Sequence, residues 1–434
     1  MCVIGAGISG LAVAGTLCAR GIPTTVLERS DDVGGLWRYS GPGDRGPSYD
    51  SLHLNTSKAL TGYSDFPVPD AYPRYPSHRQ MASYLRGYAE HKGVVEHVEF
   101  GADVREVTRS TDGTWAVATC NSTGGSEVRH FRHVVVASGH HWSPRTPRIP
   151  GADTFTGRAI HSADYSAPDG YAGKRVAVIG FGNTAADLAV ELSRVSAKTL
   201  VVQRRGVHVV PKTMFGTAID EIASSPWWAR MSLEEQRQLI ELSLRVIRGD
   251  LTDYGLLEPD HRVFGGPLTI SDELLSRINH GAVFPKNGIE RIEGPVLHFA
   301  DGSSEEVDEI VHCTGFHIEF PFLPEGTGFE PGGQLALYQR VVPPREAGLY
   351  FAGLIRPFGA ITRLVEEQGE WIADLVQGRA ALPPVAEMEA EVRAHLVAAR
   401  ARYGRSAGDS VQVDFARYLA ALRERRGAPA AQPA

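Results

Sequence analysis

The sequence predicts an α/β protein with two Rossmann-like dinucleotide-binding domains, the second inserted into the first. Three observations carry this. A G-x-G-x-x-G run occupies Gly5 to Gly10, and a G-x-G-x-x-A run occupies Gly180 to Ala185. Each run stands between a short apolar stretch of strand character and an apolar pattern with helical spacing, the context the dinucleotide-binding unit requires. The 434 residues give room for two or three domains with sizeable cores.

The first unit opens with an apolar strand, Cys2 to Ile4, before Gly5. Gly5 suits the tight turn, Gly7 allows a pyrophosphate to approach the backbone, and Gly10 allows helix and strand to pack closely. Ile8 and Ser9 open the helix, whose free N–H groups favour an anion. A second strand, Thr24 to Leu27, ends in Glu28 and Arg29, with Glu28 about 20 residues beyond the glycines, where a carboxylate accepts from a ribose hydroxyl. A glycine-rich turn with no ligand is the bland alternative. Only four residues precede Gly5. Three readings stay open: a natural start upstream, trimmed numbering, or an abbreviated strand.

The second unit runs from Lys174-Arg175-Val176-Ala177-Val178-Ile179 through Gly180, Gly182, Asn183, Thr184 and Ala185 to a second strand, Thr199-Leu200-Val201-Val202-Gln203-Arg204-Arg205. Here Arg204 and Arg205 stand where the first unit has its carboxylate. A carboxylate would repel a 2′-phosphate, whereas a guanidinium pairs with it in a fork, so this site predicts NADPH over NADH. Surface arginines at a strand end are the plainer alternative. Two nucleotides in one chain suit a flavoprotein oxidoreductase, with FAD in the acid-bearing first unit and NADPH in the second.

The composition narrows the electron acceptor. Cys2, Cys18, Cys120 and Cys313 form no C-x-x-C pair, which disfavours a disulfide scaffold, a structural zinc site and a redox dithiol. No metal site is predicted. The net charge of −7 argues against nucleic acid or an anionic membrane as partner. No apolar run approaches the ~20 residues of a membrane span, and no secretory leader is evident. Dioxygen is the acceptor that remains.

Phe155-Thr156-Gly157-Arg158-Ala159-Ile160-His161-Ser162-Ala163-Asp164-Tyr165 matches F-x-G-x-x-x-H-x-x-x-Y. Here the chain resembles the class B flavin-containing monooxygenases, in their bacterial, soluble form. Further motifs agree in order. They are Gly34-Gly35-Leu36-Trp37, Leu54-Asn55-Thr56-Ser57-Lys58 with Ser64-Asp65-Phe66-Pro67, Val311-His312-Cys313-Thr314-Gly315-Phe316, and Gly348 to Leu354 with Glu366-Glu367-Gln368. The likeness runs from Val3 to about Gly378. It implies that Gly35, Leu36, Trp37, Asn55, Thr56, Thr314, Gly315 and Gln368 join the glycine loops in binding cofactor.

The resemblance also implies the reaction: NADPH- and O2-dependent oxygenation of a soft nitrogen or sulfur in a small molecule through a C4a-hydroperoxyflavin. Tyr165 stands where Baeyer–Villiger relatives carry Trp. Baeyer–Villiger oxidation, oxidative decarboxylation of a 2-oxo acid, and a flavin-binding protein without oxygenase turnover are the alternatives. Asn55 is the expected catalytic residue, since an amide donates and accepts without a charge change; an Asn capping a turn is the alternative. His161 is read as a linker brace, and Lys58 as a surface or nucleotide contact.

The expected organisation is a discontinuous FAD domain, 1–150 and 307–383, around an NADPH domain, 151–306, with a helical insertion at 218–250. C-terminal helices follow over 384–426, then a disordered tail, 427–434. Membrane-bound relatives carry an apolar C-terminal anchor that is missing here, so a cytoplasmic enzyme is expected. The oligomeric state, a homo-oligomer included, stays open.

Overall fold

The computed structural model describes residues 1–39, 41, 46–121, 123–330, 333–403 and 410–426. The expected tail, 427–434, lies outside the described residues. The chain divides into two compact units, 1–38 with 56–140 and 318–434, and 39–55 with 141–317.

The first unit is built on a five-stranded parallel sheet in the spatial order Leu349–Phe351, Val134–Val136, Cys2–Ile4, Thr25–Glu28, Val98–Phe100. Val3 lies opposite both Val26 and Val135. The strands at 2–4, 134–136 and 349–351 are buried throughout. Continuous apolar runs of this kind belong to parallel strands covered on both faces. The helix Ile8–Ala19 follows the first strand, and Thr362–Val376 packs on it closely: a Cβ on Gly369 would lie 3.2 Å from the Val13 Cα. A three-stranded antiparallel sheet, Asp103–Arg109, Trp115–Cys120 and Ser126–Phe131, adds a layer. Its Val107, Trp115 and Val117 share one core with Cys2, Ile4 and Phe351.

At the C-terminus two helices run over Val385–Tyr403 and Phe415–Arg426. The second begins at Phe415, because Gln412–Val413 pairs with Arg356–Pro357 and the Asp414 carboxylate accepts from the Arg417 N–H at 3.1 Å. Arg426 ties it to Glu367, Glu370 and Asp374 at 2.9, 3.0 and 3.1 Å.

The second unit repeats the parallel design with the order Val283–Asn287, Lys198–Gln203, Arg175–Ile179, Glu309–His312, Arg158–His161. This corrects the boundary expected at 307. Glu309–His312 is buried at all four residues and pairs on both sides within this sheet. Residues 39–55 also belong here and not to 1–150: Tyr49 packs in this unit's core and donates to Asp187 Oδ2 at 2.7 Å. Where the chain enters this unit at 141 and leaves it at 317, the two crossing segments pair with each other, Ser143–Pro144 antiparallel to Phe316–His317. The insertion consists of three helices, Ile219–Ala223, Pro226–Arg230 and Leu233–Arg248. The last is opened by a capping box: the Glu235 N–H donates to Ser232 Oγ at 3.3 Å, and the Ser232 N–H donates to Glu235 Oε2 at 2.7 Å.

Two histidines, buried His312 and half-buried His395, couple this fold to pH. Burial lowers His312 from 6.5 to about 4, with the neighbouring His161 adding to it. Burial also lowers His395 to about 4, with Arg340 adding to it. The unfolded chain therefore binds protons in a window where the native one does not, so stability rises with pH there. It is full above the unfolded value, falls as pH drops from about 6.5 to about 4, and gains no further loss from these two groups below that. Denaturant titrations across this window should show a shallower pH slope for His395→Gln than for wild type; an identical slope would remove that histidine as a cause.

Candidate functional site

The first glycine loop is shaped by contacts that exclude side chains. Gly5 has φ +101, and a Cβ there would lie 2.8 Å from the Ala137 carbonyl oxygen. A Cβ on Gly10 would lie 1.8 Å from the Gly5 oxygen, so helix and strand meet backbone to backbone. A Cβ on Gly35 would stand 2.8 Å from the Gly7 Cα, and the Gly34 N–H donates to the Ala6 oxygen at 2.9 Å. Gly34-Gly35 and the Gly5–Gly10 loop thus form one cradle. The helix at its mouth has Gly7 as N-cap, no side-chain cap and no acid in its first turn. Its first N–H groups stay available to an anion.

Glu28 closes the ribose end. It is buried, its Oε2 accepts from the Ala6 N–H at 2.7 Å, and its Oε1 accepts from the Ser30 N–H at 2.9 Å and hydroxyl at 2.7 Å. These three bonds leave one of about four carboxylate acceptor sites for a sugar hydroxyl. Ser30 was missed from sequence, having no motif of its own. Arg29 and Leu36 are exposed beside the cradle, Ile8 and Trp37 are half-buried, and Ser9 is buried. The Thr56 hydroxyl meets that of Thr61 at 2.8 Å.

Gln368 departs from expectation. It is fully buried, its Oε1 accepts from the Gly353 N–H at 2.9 Å, and its Nε2 donates to the Tyr418 hydroxyl at 2.8 Å. Both ends of the amide are engaged within the protein, so it holds a loop.

The second glycine loop repeats the geometry. Gly180 has φ +127, and a Cβ there would lie 2.3 Å from the Cys313 oxygen. Gly182 is the N-cap of Asn183–Leu192, again with no side-chain cap and no first-turn acid. No heavy atom lies within 4 Å of a Cβ built on Gly182, leaving an open face. Ala185 is buried and Thr184 half-buried. Asn183 serves the loop itself: its Oδ1 accepts from the Ile270 N–H at 2.8 Å, while Thr269 donates to the Phe181 oxygen. Thr269 is remote in sequence, with no local signal of this role.

At the ribose end of this loop, Arg204 and Arg205 are exposed after the strand Lys198–Gln203. Arg204 makes no side-chain hydrogen bond or ion pair among the described residues. Arg205 lies in the field of Asp260, whose carboxylate is held below its usual range, first by its bond with His261. Gln203 is fully buried with neither end of its amide partnered among the described residues.

Asn55 lies in the second unit, next in sequence to the first. Lys212 donates to the Leu54 oxygen at 3.1 Å, fixing the backbone beside it. The Asn55 Oδ1 is buried and has no partner among the described residues. The Lys58 ammonium donates to the carbonyls of Asp70 and Tyr72, both at 2.7 Å. His161 receives the Ala163 N–H on Nδ1 at 3.1 Å and approaches the Gly315 oxygen with Nε2 at 3.0 Å. The first bond requires Nδ1 unprotonated, so Nε2 carries the proton and both ring nitrogens brace the crossing. Thr314 and Gly315 belong to the same brace, Thr314 donating to the Arg145 oxygen and accepting from the Arg145 guanidinium at 2.8 Å. Tyr165 is buried and donates to Glu191 at 2.7 Å.

The glycine contacts, the open helix N-termini and the placement of Glu28 and Arg204 fit two dinucleotides of different ribose chemistry. Among the described residues no cluster of His, Cys, Asp and Glu could hold a metal, and no helix is long and apolar enough to cross a membrane.

Comparison with known proteins agrees. The profile of the flavin-binding monooxygenase-like family matches residues 1–431. The chain is 33% identical over 429 residues to Flavin-containing monooxygenase 5 of Homo sapiens, covering 95% of this chain and 80% of that protein. It is 32% identical to Dimethylaniline monooxygenase [N-oxide-forming] 2 of Oryctolagus cuniculus, covering 98% and 82%. Among solved structures, S-allyl-L-cysteine S-oxygenase from Allium sativum superposes with a TM-score of 0.74 at 25% identity, over 99% of this chain and 89% of that one. The closed form of cyclohexanone monooxygenase, at 20% identity and a TM-score of 0.73 over 98% and 96%, shares the fold. The chain belongs to the flavin-binding monooxygenase-like family and is an FAD- and NADPH-dependent monooxygenase.

Proposed function

We propose that the protein oxygenates a soft nitrogen or sulfur atom of a small molecule, with FAD in the first cradle and NADPH in the second. The observation that carries this is the pair of cradles with opposite ribose ends, buried Glu28 in one and, in the other, an exposed Arg204 that is unpaired among the described residues. The choice of atom is supported by the whole-length likeness to an N-oxide-forming monooxygenase and an S-oxygenase.

When bound, FAD reduced by NADPH supplies the activation of dioxygen. The chain's own residues do the rest. The N–H groups at the start of Ile8–Ala19 and Asn183–Leu192 receive the pyrophosphates. Glu28 accepts from the FAD ribose, and Arg204, with Arg205, pairs with the 2′-phosphate of NADPH. Asn55 offers a buried neutral acceptor that keeps its charge state across the working pH range.

The test is oxygen incorporation. FAD-loaded enzyme, NADPH and isotopically labelled dioxygen are supplied with a panel of tertiary amines, thioethers and ketones. One labelled oxygen on nitrogen or sulfur, with equivalent NADPH consumed, is the expected product. Esters from the ketones alone would overturn the heteroatom assignment.

A further inference from the structure

We propose that Tyr418, on the C-terminal helix, is a positioning residue for the FAD cradle, acting through Gln368 on the backbone of Gly353. The inference rests on the placement of FAD in the first cradle and is independent of which atom the enzyme oxygenates.

Gly353 follows the strand Leu349–Phe351 at the carboxyl edge of the parallel sheet, where α/β folds bind their ligands. Its backbone abuts the first turn of the glycine helix: at φ +82, a Cβ there would lie 2.1 Å from Ser9 Oγ. Its N–H donates to Gln368 Oε1 at 2.9 Å. Gln368 reaches this point because its neighbour Gly369 lets the helix Thr362–Val376 close on Ile8–Ala19. Gln368 Nε2 then donates to the Tyr418 hydroxyl at 2.8 Å, and that hydroxyl donates to the Gln339 carbonyl at 2.6 Å.

The direction of this chain is fixed. The Gln339 carbonyl only accepts, so Tyr418 gives it the proton and accepts from the amide NH₂. The amide oxygen is thereby turned to the Gly353 N–H, and each link constrains the next. The far anchor is itself rigid. Gln339 and Arg340 have φ 47 and 58, two successive left-handed residues at the tip of the turn bridged by Tyr338 and Val342. Long side chains adopt this conformation only where the surroundings enforce it. Here Glu391 accepts from the Gln339 N–H at 3.4 Å and from Arg340 at 3.3 Å. The helix bearing Tyr418 is clamped by Arg423 and Arg426. A residue with no cofactor motif thus sets the position of the loop that faces Ser9.

Tyr418→Phe keeps the ring and removes one hydroxyl. In cofactor-stripped protein titrated with FAD, the Kd should rise about tenfold, the size of one lost buried hydrogen bond. In the reloaded enzyme the visible flavin bands should shift, and hydrogen exchange over 349–355 should quicken. Gln368→Met should reproduce all three changes. Leu422→Ala, fully buried on the same helix but outside the relay, should lower Tm and leave FAD Kd and spectrum alone. Wild-type FAD binding and spectrum in both relay variants would overturn the proposal, as would equal changes in Leu422→Ala. A loss confined to NADPH binding would overturn the placement of FAD that it rests on.

Discussion

Replacing Arg204 and Arg205 together with alanine should raise the KM for NADPH about 100-fold and leave that for NADH within about twofold, since charge-assisted contacts together worth about 3 kcal/mol are lost only from the phosphorylated cofactor. The structure makes the pair unequal. Arg204 is exposed and unpaired among the described residues, so its charge is available to a dianion. Arg205 already interacts with the Asp260 carboxylate. Most of the effect should therefore appear in Arg204→Ala alone, with Arg205→Ala milder. Steady-state kinetics with both cofactors checks this, and equal losses with NADH would contradict contact with the 2′-phosphate.

The two glycine loops were legible because their constraint is local. Gly5, Gly7 and Gly10 are required within six residues of chain, and the strand, turn and helix that need them are contiguous. The positions of Glu28 and Arg204 were legible for the same reason, the one ending and the other directly following the strand after its loop. Domain boundaries were not. Glu309–His312 reads as a buried strand in either unit, and only pairing with 175–179 and 158–161 decides between them. Tyr49 likewise shows no local preference; its partner Asp187 lies far along the chain.

Side-chain roles inferred from motif position fared unevenly for a related reason. A motif says that a residue is needed, not which of its atoms is used. Asn183 and Gln368 sit in segments expected to bind nucleotide, yet the Asn183 oxygen accepts from the Ile270 N–H, and Gln368 bonds the Gly353 N–H and the Tyr418 hydroxyl. Thr269, Ser30 and Tyr418 hold the same loops in place and carry no motif, because what each must supply is one donor or acceptor at one point in space.

Asn55→Leu should leave FAD content unchanged and NADPH oxidation running, while product formed per NADPH falls about tenfold or more and hydrogen peroxide accounts for the difference, as expected when one buried hydrogen-bonding partner is lost. Leucine matches asparagine closely in size, so the surrounding packing is retained. The polarity is what changes. Asn55 carries a buried acceptor that no described protein group satisfies, and an orphan of this kind costs stability unless a ligand completes it. Leucine removes that cost, so the apo variant should be no less stable than wild type, an outcome opposite to that of an ordinary structural asparagine. Asn55→Asp separates acceptor from neutrality: it restores an oxygen but adds a charge that burial penalises, and coupling should recover only as pH falls and the carboxyl takes up its proton. Paired assays of oxygenated product and peroxide across pH check both variants. Unchanged coupling in Asn55→Leu would remove this residue from the reaction, and lost apo stability in the same variant would return it to the role of a turn cap.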